Sequence, residues 1–91
     1  MKIEAAPERK PWSELSPVTQ AALRCKDPVF WAFLKENGFT FAKIQDEEAA
    51  ARVVRDVCQI GSRSELASDP RAQATWYDLE TLFAAWKGHE R

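Results

Sequence analysis

The feature that most constrains the fold of this 91-residue chain is a Ser-Pro or Asp-Pro pair, which occurs at three positions. A serine or aspartate side chain can accept a hydrogen bond from a free amide at a helix start, and proline is preset for the first helical position. Each pair therefore predicts a helix start, and it also ends the helix before it. The pairs are Ser16-Pro17, Asp27-Pro28 and Asp69-Pro70.

Apolar residues then recur at spacings of three and four, as on one face of a helix. The longest series comprises Ala72, Trp76, Leu79, Phe83 and Trp86. The glycines Gly38, Gly61 and Gly88 fall where helices are expected to end. The predicted helical segments are 17–26, 28–37, 46–59, a single turn at 62–67, and 70–87. We expect an all-α fold, a small orthogonal bundle of about five helices.

Composition divides the chain into an arm, one domain and a tail. Residues 1–11 combine two prolines, mixed charges and few large apolar groups, which predicts a flexible N-terminal arm. We expect a single helical domain over 12–88 and a frayed tail over 89–91. Phe39 and Phe41 alternate as in a strand, but no partner strand is evident. We therefore expect an extended connection whose two phenylalanines cover the core.

The reactive side chains argue against an enzyme. The one histidine, His89, lies near the end of the sequence, so a catalytic pair or triad would have to hold it in place. Cys25 and Cys58 lie on or beside apolar faces and are expected to be buried. Two cysteines and one histidine do not complete a closed zinc site. We expect no catalytic residue, no bound metal and no cofactor.

Charge and hydropathy indicate a cytoplasmic protein without a membrane partner. Thirteen basic and fourteen acidic residues give a net charge of −1, which provides no overall field for a polyanion or a membrane surface. Two cysteines are too few for a disulfide scaffold. The longest apolar run, 29–34, is far shorter than the roughly 20 residues of a membrane span, and the first residues lack a signal-peptide pattern. The sequence leaves the oligomeric state open.

Two large aromatic residues suggest a surface that binds a partner protein. Trp31 falls at the edge of the inward face of its helix, and Tyr77 lies off the inward face of the last helix. Exposed aromatic residues on a small domain often mark contact surfaces. Alternatively, both are covered by the connection over 39–44 or by the N-terminal arm.

A helix-turn-helix that binds DNA is the other functional interpretation. A helix is predicted to end at "QIG", a capped turn follows, and four arginines lie nearby in the sequence, namely Arg52, Arg55, Arg63 and Arg71. The segment 62–67 is too short for a recognition helix, however, and it carries Glu65. We therefore favour a protein partner and leave nucleic acid as the alternative, with solvated helix faces as a further explanation of the arginines.

Arg63 is the residue of this segment that local structure does not explain. Ser62 and Glu65 predict a capping box, whereas Arg63 would place a cation at the positive end of a helix dipole. An ion pair with Asp56 or Asp69, contact with a partner's carboxylate or phosphate, and a solvated side chain all remain open. We predict the partner contact. The predicted binding residues are Arg63, Arg52, Arg55, Trp31 and Tyr77.

Three motifs carry a resemblance to a group of known proteins. They are "DPxFWxFL" at 27–34, "CxIxSRxEL" at 58–66 and "FxxW" at 83–86. Over residues 12–87 the chain resembles small orphan helical proteins encoded in phage and prophage gene clusters, often near replication and recombination genes. The resemblance implies an accessory factor in phage DNA metabolism or host takeover that acts by binding, and it transfers no catalytic residue.

Overall fold

The computed structural model describes residues 11–89, which form four α-helices and two short 3₁₀ helices. The α-helices are α1 (Pro17–Cys25), α2 (Pro28–Glu36), α3 (Glu47–Cys58) and α4 (Pro70–His89), and the 3₁₀ helices are Trp12–Glu14 and Arg63–Ala67. The all-α class is confirmed, and this part of the chain contains no strand. The prediction of about five helices was wrong, because the segment at 62–67 forms a 3₁₀ helix. Most of the predicted arm, residues 1–10, and the last two residues of the predicted tail lie outside the described residues.

The three helix starts predicted from the Ser-Pro and Asp-Pro pairs follow the predicted chemistry, and Asp46 caps α3 in the same way. At each start, the residue before the helix accepts a hydrogen bond from an amide of the first turn, so one otherwise unpaired N–H group is satisfied. The four capping residues are Ser16, Asp27, Asp46 and Asp69. Proline occupies the next position in α1, α2 and α4. The first residue of each helix is therefore specified by side chains within a single turn.

The glycines have different roles at the helix ends. Gly38 has a φ of 82° and closes α2, as predicted, with the Phe39 amide donating to the Leu34 carbonyl at 2.9 Å. α4 instead continues through Gly88 to His89, so the prediction that Gly88 ends it was wrong. A glycine within a helix costs only about 1 kcal/mol relative to alanine, which is too little to stop a helix by itself.

The cap of the second 3₁₀ helix is shifted by one residue from the predicted capping box. Ser62 Oγ accepts from the Ser64 amide at 3.2 Å, and Glu65 Oε2 accepts from the Gly61 amide at 2.9 Å. A Cβ atom at Gly61 would lie 3.1 Å from that carboxylate oxygen. Gln59, with a φ of 59°, closes α3 in place of Gly61. Gly61 therefore serves the cap of the 3₁₀ helix and does not end α3.

The core lies where the inward faces of the four helices meet. α1 contacts the other three α-helices and the second 3₁₀ helix, and α4 closes the opposite side against α2 and α3. The largest fully buried side chains are aromatic, and the rings of Phe30 and Phe83 meet edge to face at 5.1 Å between centroids. The predicted inward face of α4 is confirmed, with Trp86 half-buried against Phe33.

The helices formed by residues 11–89 include none with the length and hydropathy of a membrane-spanning segment.

Candidate functional site

The connection between α2 and α3 carries the most exposed large apolar side chain of residues 11–89. Phe41 is 96% exposed. Phe39 packs against Phe33, with 5.8 Å between ring centroids. The prediction that both phenylalanines cover the core is therefore right for Phe39 and wrong for Phe41. The backbone bends at 39 and again at 41–42, so this segment is not the regular extended strand in which residues 39 and 41 would face the same side.

A groove of about 750 Å³ lies between α2 and this connection, and we call it the α2 groove. Its helical wall consists of residues spaced three and four apart, so they share one face of α2. Its other wall is the last part of the connection, held to the core by buried Ile44. The lining residues are Pro28, Trp31, Ala32, Lys35, Glu36, Lys43, Ile44 and Gln45.

Trp31 is a fixed part of the α2 groove. Its indole nitrogen donates to the Cys25 carbonyl oxygen at 2.7 Å, which satisfies a carbonyl group left unpaired at the end of α1. The ring is half-buried and packs against the core. The connection thus lies beside Trp31 as one interpretation expected, the ring also lines the α2 groove, and its contact with a partner stays a prediction.

The charged side chains of the α2 groove lie at its rim. Lys35 and Lys43 are exposed on opposite walls, and neither has an ion-pair partner within residues 11–89. Glu36 accepts a hydrogen bond from the Trp86 indole nitrogen at 3.3 Å. The groove therefore combines an apolar floor with two ammonium groups that lack a carboxylate partner in this part of the chain.

Tyr77 lies elsewhere, half-exposed in a second groove of about 470 Å³ between α4 and the first 3₁₀ helix. The carboxylate of this groove, Glu80, is already paired within the protein. Glu80 accepts from Arg24 at 2.8 and 2.9 Å and from the Trp12 indole at 2.9 Å. The Arg24 guanidinium also lies 4.0 Å from the centroid of the Trp12 ring. These contacts attach the first 3₁₀ helix to α1 and α4, which is a structural role.

Sequence reasoning missed this network and the buried Gln20 beside it. The Gln20 amide donates to the Trp12 carbonyl at 2.8 Å and accepts from the Trp76 indole at 2.9 Å. Arg24 and Glu80, like Gln20 and Trp76, are 56 positions apart. No local spacing signals such pairs.

The predicted arginine patch is partly neutralised by the first turn of α3. Arg55 pairs with Glu48 at 3.2 Å, and Arg63 Nη1 lies 4.0 Å from Glu47 Oε2. Neither Asp56 nor Asp69, the two acids considered as ion-pair partners of Arg63, forms an ion pair with it in the described part of the chain. The carboxylate within 4.0 Å belongs to Glu47 of α3. Arg63 Nη1 is buried without a hydrogen-bond acceptor among the described residues. Arg52 and Arg71 are exposed.

Two of the five predicted binding residues, Trp31 and Arg63, lie beside Cys25 at the end of α1. Trp31 hydrogen-bonds the Cys25 carbonyl, and the charges of Arg63 and Arg55 act on its thiol. Burial raises the pKa of the Cys25 thiol, and the positive charge of Arg63 opposes that rise in part. Burial also raises the pKa of Cys58 to about 11. Both thiols are free, buried and protonated at neutral pH, so neither resembles an activated nucleophile.

The described residues offer little geometry for the other functional classes. The segment considered as a recognition helix is a five-residue 3₁₀ helix, which has no long α-helical face to lay in a major groove. Within residues 11–89, no group of three or more His, Cys, Asp or Glu side chains is placed to hold a metal ion. The α2 groove with Phe41 is therefore the best candidate site.

Comparison with protein-family models, with curated protein sequences and with solved structures finds no match to this chain. The resemblance to phage-encoded proteins stays a prediction.

Proposed function

We propose that this chain is a non-enzymatic protein-binding module whose docking surface is the α2 groove together with Phe41. The observation that carries the proposal is the 96% exposure of Phe41, which lies on the connection two residues before Lys43 of the groove wall. Leaving a phenylalanine side chain in water forgoes about 1.5–3 kcal/mol relative to burying it. A partner that covers Phe41 recovers this free energy.

The state of Trp31 also supports docking at this surface. Binding interfaces concentrate their energy in a few aromatic or arginine side chains that lie in well-packed pockets. The indole is already fixed by its bond to Cys25 and by the core. A partner therefore meets a preorganised aromatic surface and loses little side-chain entropy in ordering it.

We also propose the biological setting that the motif resemblance implies. The partner is then a host or phage protein of DNA metabolism or host takeover, and the complex forms in the cytoplasm. The support is the motif pattern over 12–87, which stands apart from the geometry of the groove.

A quantitative pull-down from a lysate of the native host tests the proposed surface. The baits are the unaltered protein, Phe41→Ser and the matched control Leu82→Ser, which changes a 52% exposed side chain of α4 outside the α2 groove. We expect at least one protein to be retained by the unaltered chain and by the control and lost from Phe41→Ser. If no captured protein depends on Phe41, the α2 groove is not the docking surface.

Salt titrations with single- and double-stranded DNA separate the two functional classes. A protein-binding module shows no micromolar DNA binding. Tight binding with a steep negative dependence on salt would instead indicate phosphate contacts and favour the DNA-binding interpretation.

A further inference from the structure

We propose that the occupant of the α2 groove is an acidic segment of the partner protein, with an apolar side chain on the groove floor and carboxylates on both sides of it. This inference rests on the proposed function and specifies the chemistry of the partner. It follows from the positions of two lysines, the bonds of the neighbouring acids and the apolar floor.

The two lysines are the first step. Lys35 belongs to α2 and Lys43 to the facing connection, so a segment lying in the groove passes between two ammonium groups. Both side chains are exposed, and neither pairs with a carboxylate within residues 11–89. Complementary charges across an interface favour correct partners and speed their association.

The acids near the α2 groove are the second step, because each already has a hydrogen-bond donor inside the protein. Glu36 accepts from Trp86, Asp27 caps α2, and Asp46 caps α3. The positive ends of the helix dipoles offset part of the negative charge of the two capping aspartates. Asp27 and Asp46 do not line the groove, and the charged side chains that do line it are two lysines and one glutamate, so the lining itself carries a net positive charge.

The floor is the third step. Trp31 and Ala32 line the groove with apolar surface, and buried Ile44 lies beneath the facing wall. An aliphatic or aromatic side chain fits such a floor, whereas a nucleic-acid strand needs a row of phosphate contacts along its backbone. Two lysines with Glu36 beside one of them do not form such a row, and this favours a peptide over single-stranded DNA.

In the test, short random peptides from a display library are selected for binding to the full chain. The affinity of each selected peptide is then measured. The variants are the double charge reversal Lys35→Glu with Lys43→Glu, the anchor variant Phe41→Ser, and a control that applies the same charge change at Arg71 and Lys87. The control residues are exposed and do not line the groove. Circular dichroism verifies that each variant keeps its helix content.

We expect selected peptides to carry aspartate or glutamate on both sides of an apolar residue. They should bind the lysine reversal about tenfold or more weakly, since a like charge then faces each carboxylate. The control reversal at Arg71 and Lys87 should change affinity by no more than about twofold, because its charges lie outside the groove.

Each contrary outcome has a definite meaning. Neutral or basic peptides that need Phe41 but ignore the lysine reversal overturn the acidic partner and leave the proposed function standing. Peptides that bind Phe41→Ser as well as the unaltered chain overturn the proposed function, as does a selection that yields no binders. Displacement of the peptides by oligothymidine, lost on lysine reversal, assigns the groove to nucleic acid. Displacement by added unlabelled chain assigns it to a second copy.

Discussion

Two half-buried arginines show how surroundings decide what a charged side chain contributes. The side chain of Arg24 is 21% exposed, forms a two-bond pair with Glu80 and lies over the Trp12 ring. The side chain of Arg63 is 29% exposed, lies 4.0 Å from Glu47 and has a buried nitrogen without an acceptor in the described part of the chain. Burial alone does not distinguish these residues, but their hydrogen bonds do.

The same substitution at both positions measures this difference. We expect Arg24→Met to lower the free energy of unfolding by about 1.5–3 kcal/mol, because the Glu80 carboxylate loses its cation. We expect Arg63→Met to change it by less than about 1 kcal/mol, because methionine keeps an apolar stem and removes the unsatisfied N–H group. Urea denaturation followed by tryptophan fluorescence gives both values. Equal losses would show that Arg63 is a structural anchor and would end its predicted partner role.

Because the Cys58 thiol is buried, we expect the free energy of unfolding to fall as the pH rises above about 9. Burial raises its pKa from 9.0 to about 11, so between these values the unfolded chain loses a proton that the native protein keeps. The native state then binds more protons, and the free energy of unfolding falls as pH rises through this window. We expect a shallower decline in Cys58→Ala. Urea denaturation at a series of alkaline pH values, under reducing conditions, compares the slopes, and equal slopes would contradict the assignment.

At the scale of an element, the glycine that follows α2 and the glycine in the last turn of α4 are predicted to respond oppositely to the same change. Gly88 lies in the last turn of α4 with nothing within 4 Å of an added Cβ, so Gly88→Ala should raise stability by up to about 0.5 kcal/mol. Gly38 has the same open space but a φ of 82°, so Gly38→Ala should lower stability by about 1 kcal/mol. Thermal denaturation of both variants checks the signs. A gain at Gly38 would refute the left-handed closure of α2.

Structural features that depend on residues close together in the sequence are predicted well. A capping aspartate such as Asp27 bonds an amide within its own first turn, and the inward face of α4 follows from helical spacing alone. Phe41 follows the same alternation as Phe39 but leaves the core at a bend. Apolar spacing predicts that a residue is suited to burial, and it does not show where the chain bends away from the core.

At the scale of the whole molecule, the candidate site depends on contacts between distant segments. The position of Trp31 on its helix predicts that it is a binding residue. The α2 groove that it lines, however, exists because the connection folds back along α2 and places Lys43 opposite Lys35. Such a juxtaposition has no signature in local spacing. The same is true of the Arg24 and Glu80 pair, which fixes the first 3₁₀ helix.

The four tryptophans occupy four different environments, which lets one spectrum locate a bound partner. Trp31 lines the α2 groove, Trp12 lines the second groove, Trp76 is buried against Gln20, and Trp86 bonds Glu36. Each indole N–H group gives a separate signal in a ¹H–¹⁵N correlation spectrum. The signals report on occupancy without any substitution.

The most direct measurement is a titration of the ¹⁵N-labelled chain with a peptide selected on it, followed by the four indole signals and the backbone amides. Our account predicts that the Trp31 indole and the amides of 41–45 shift most, while the Trp12 and Trp76 indoles stay in place. Shifts centred on Trp12 and Tyr77, with Trp31 unmoved, would place binding in the second groove and contradict the assignment of the α2 groove as the docking surface.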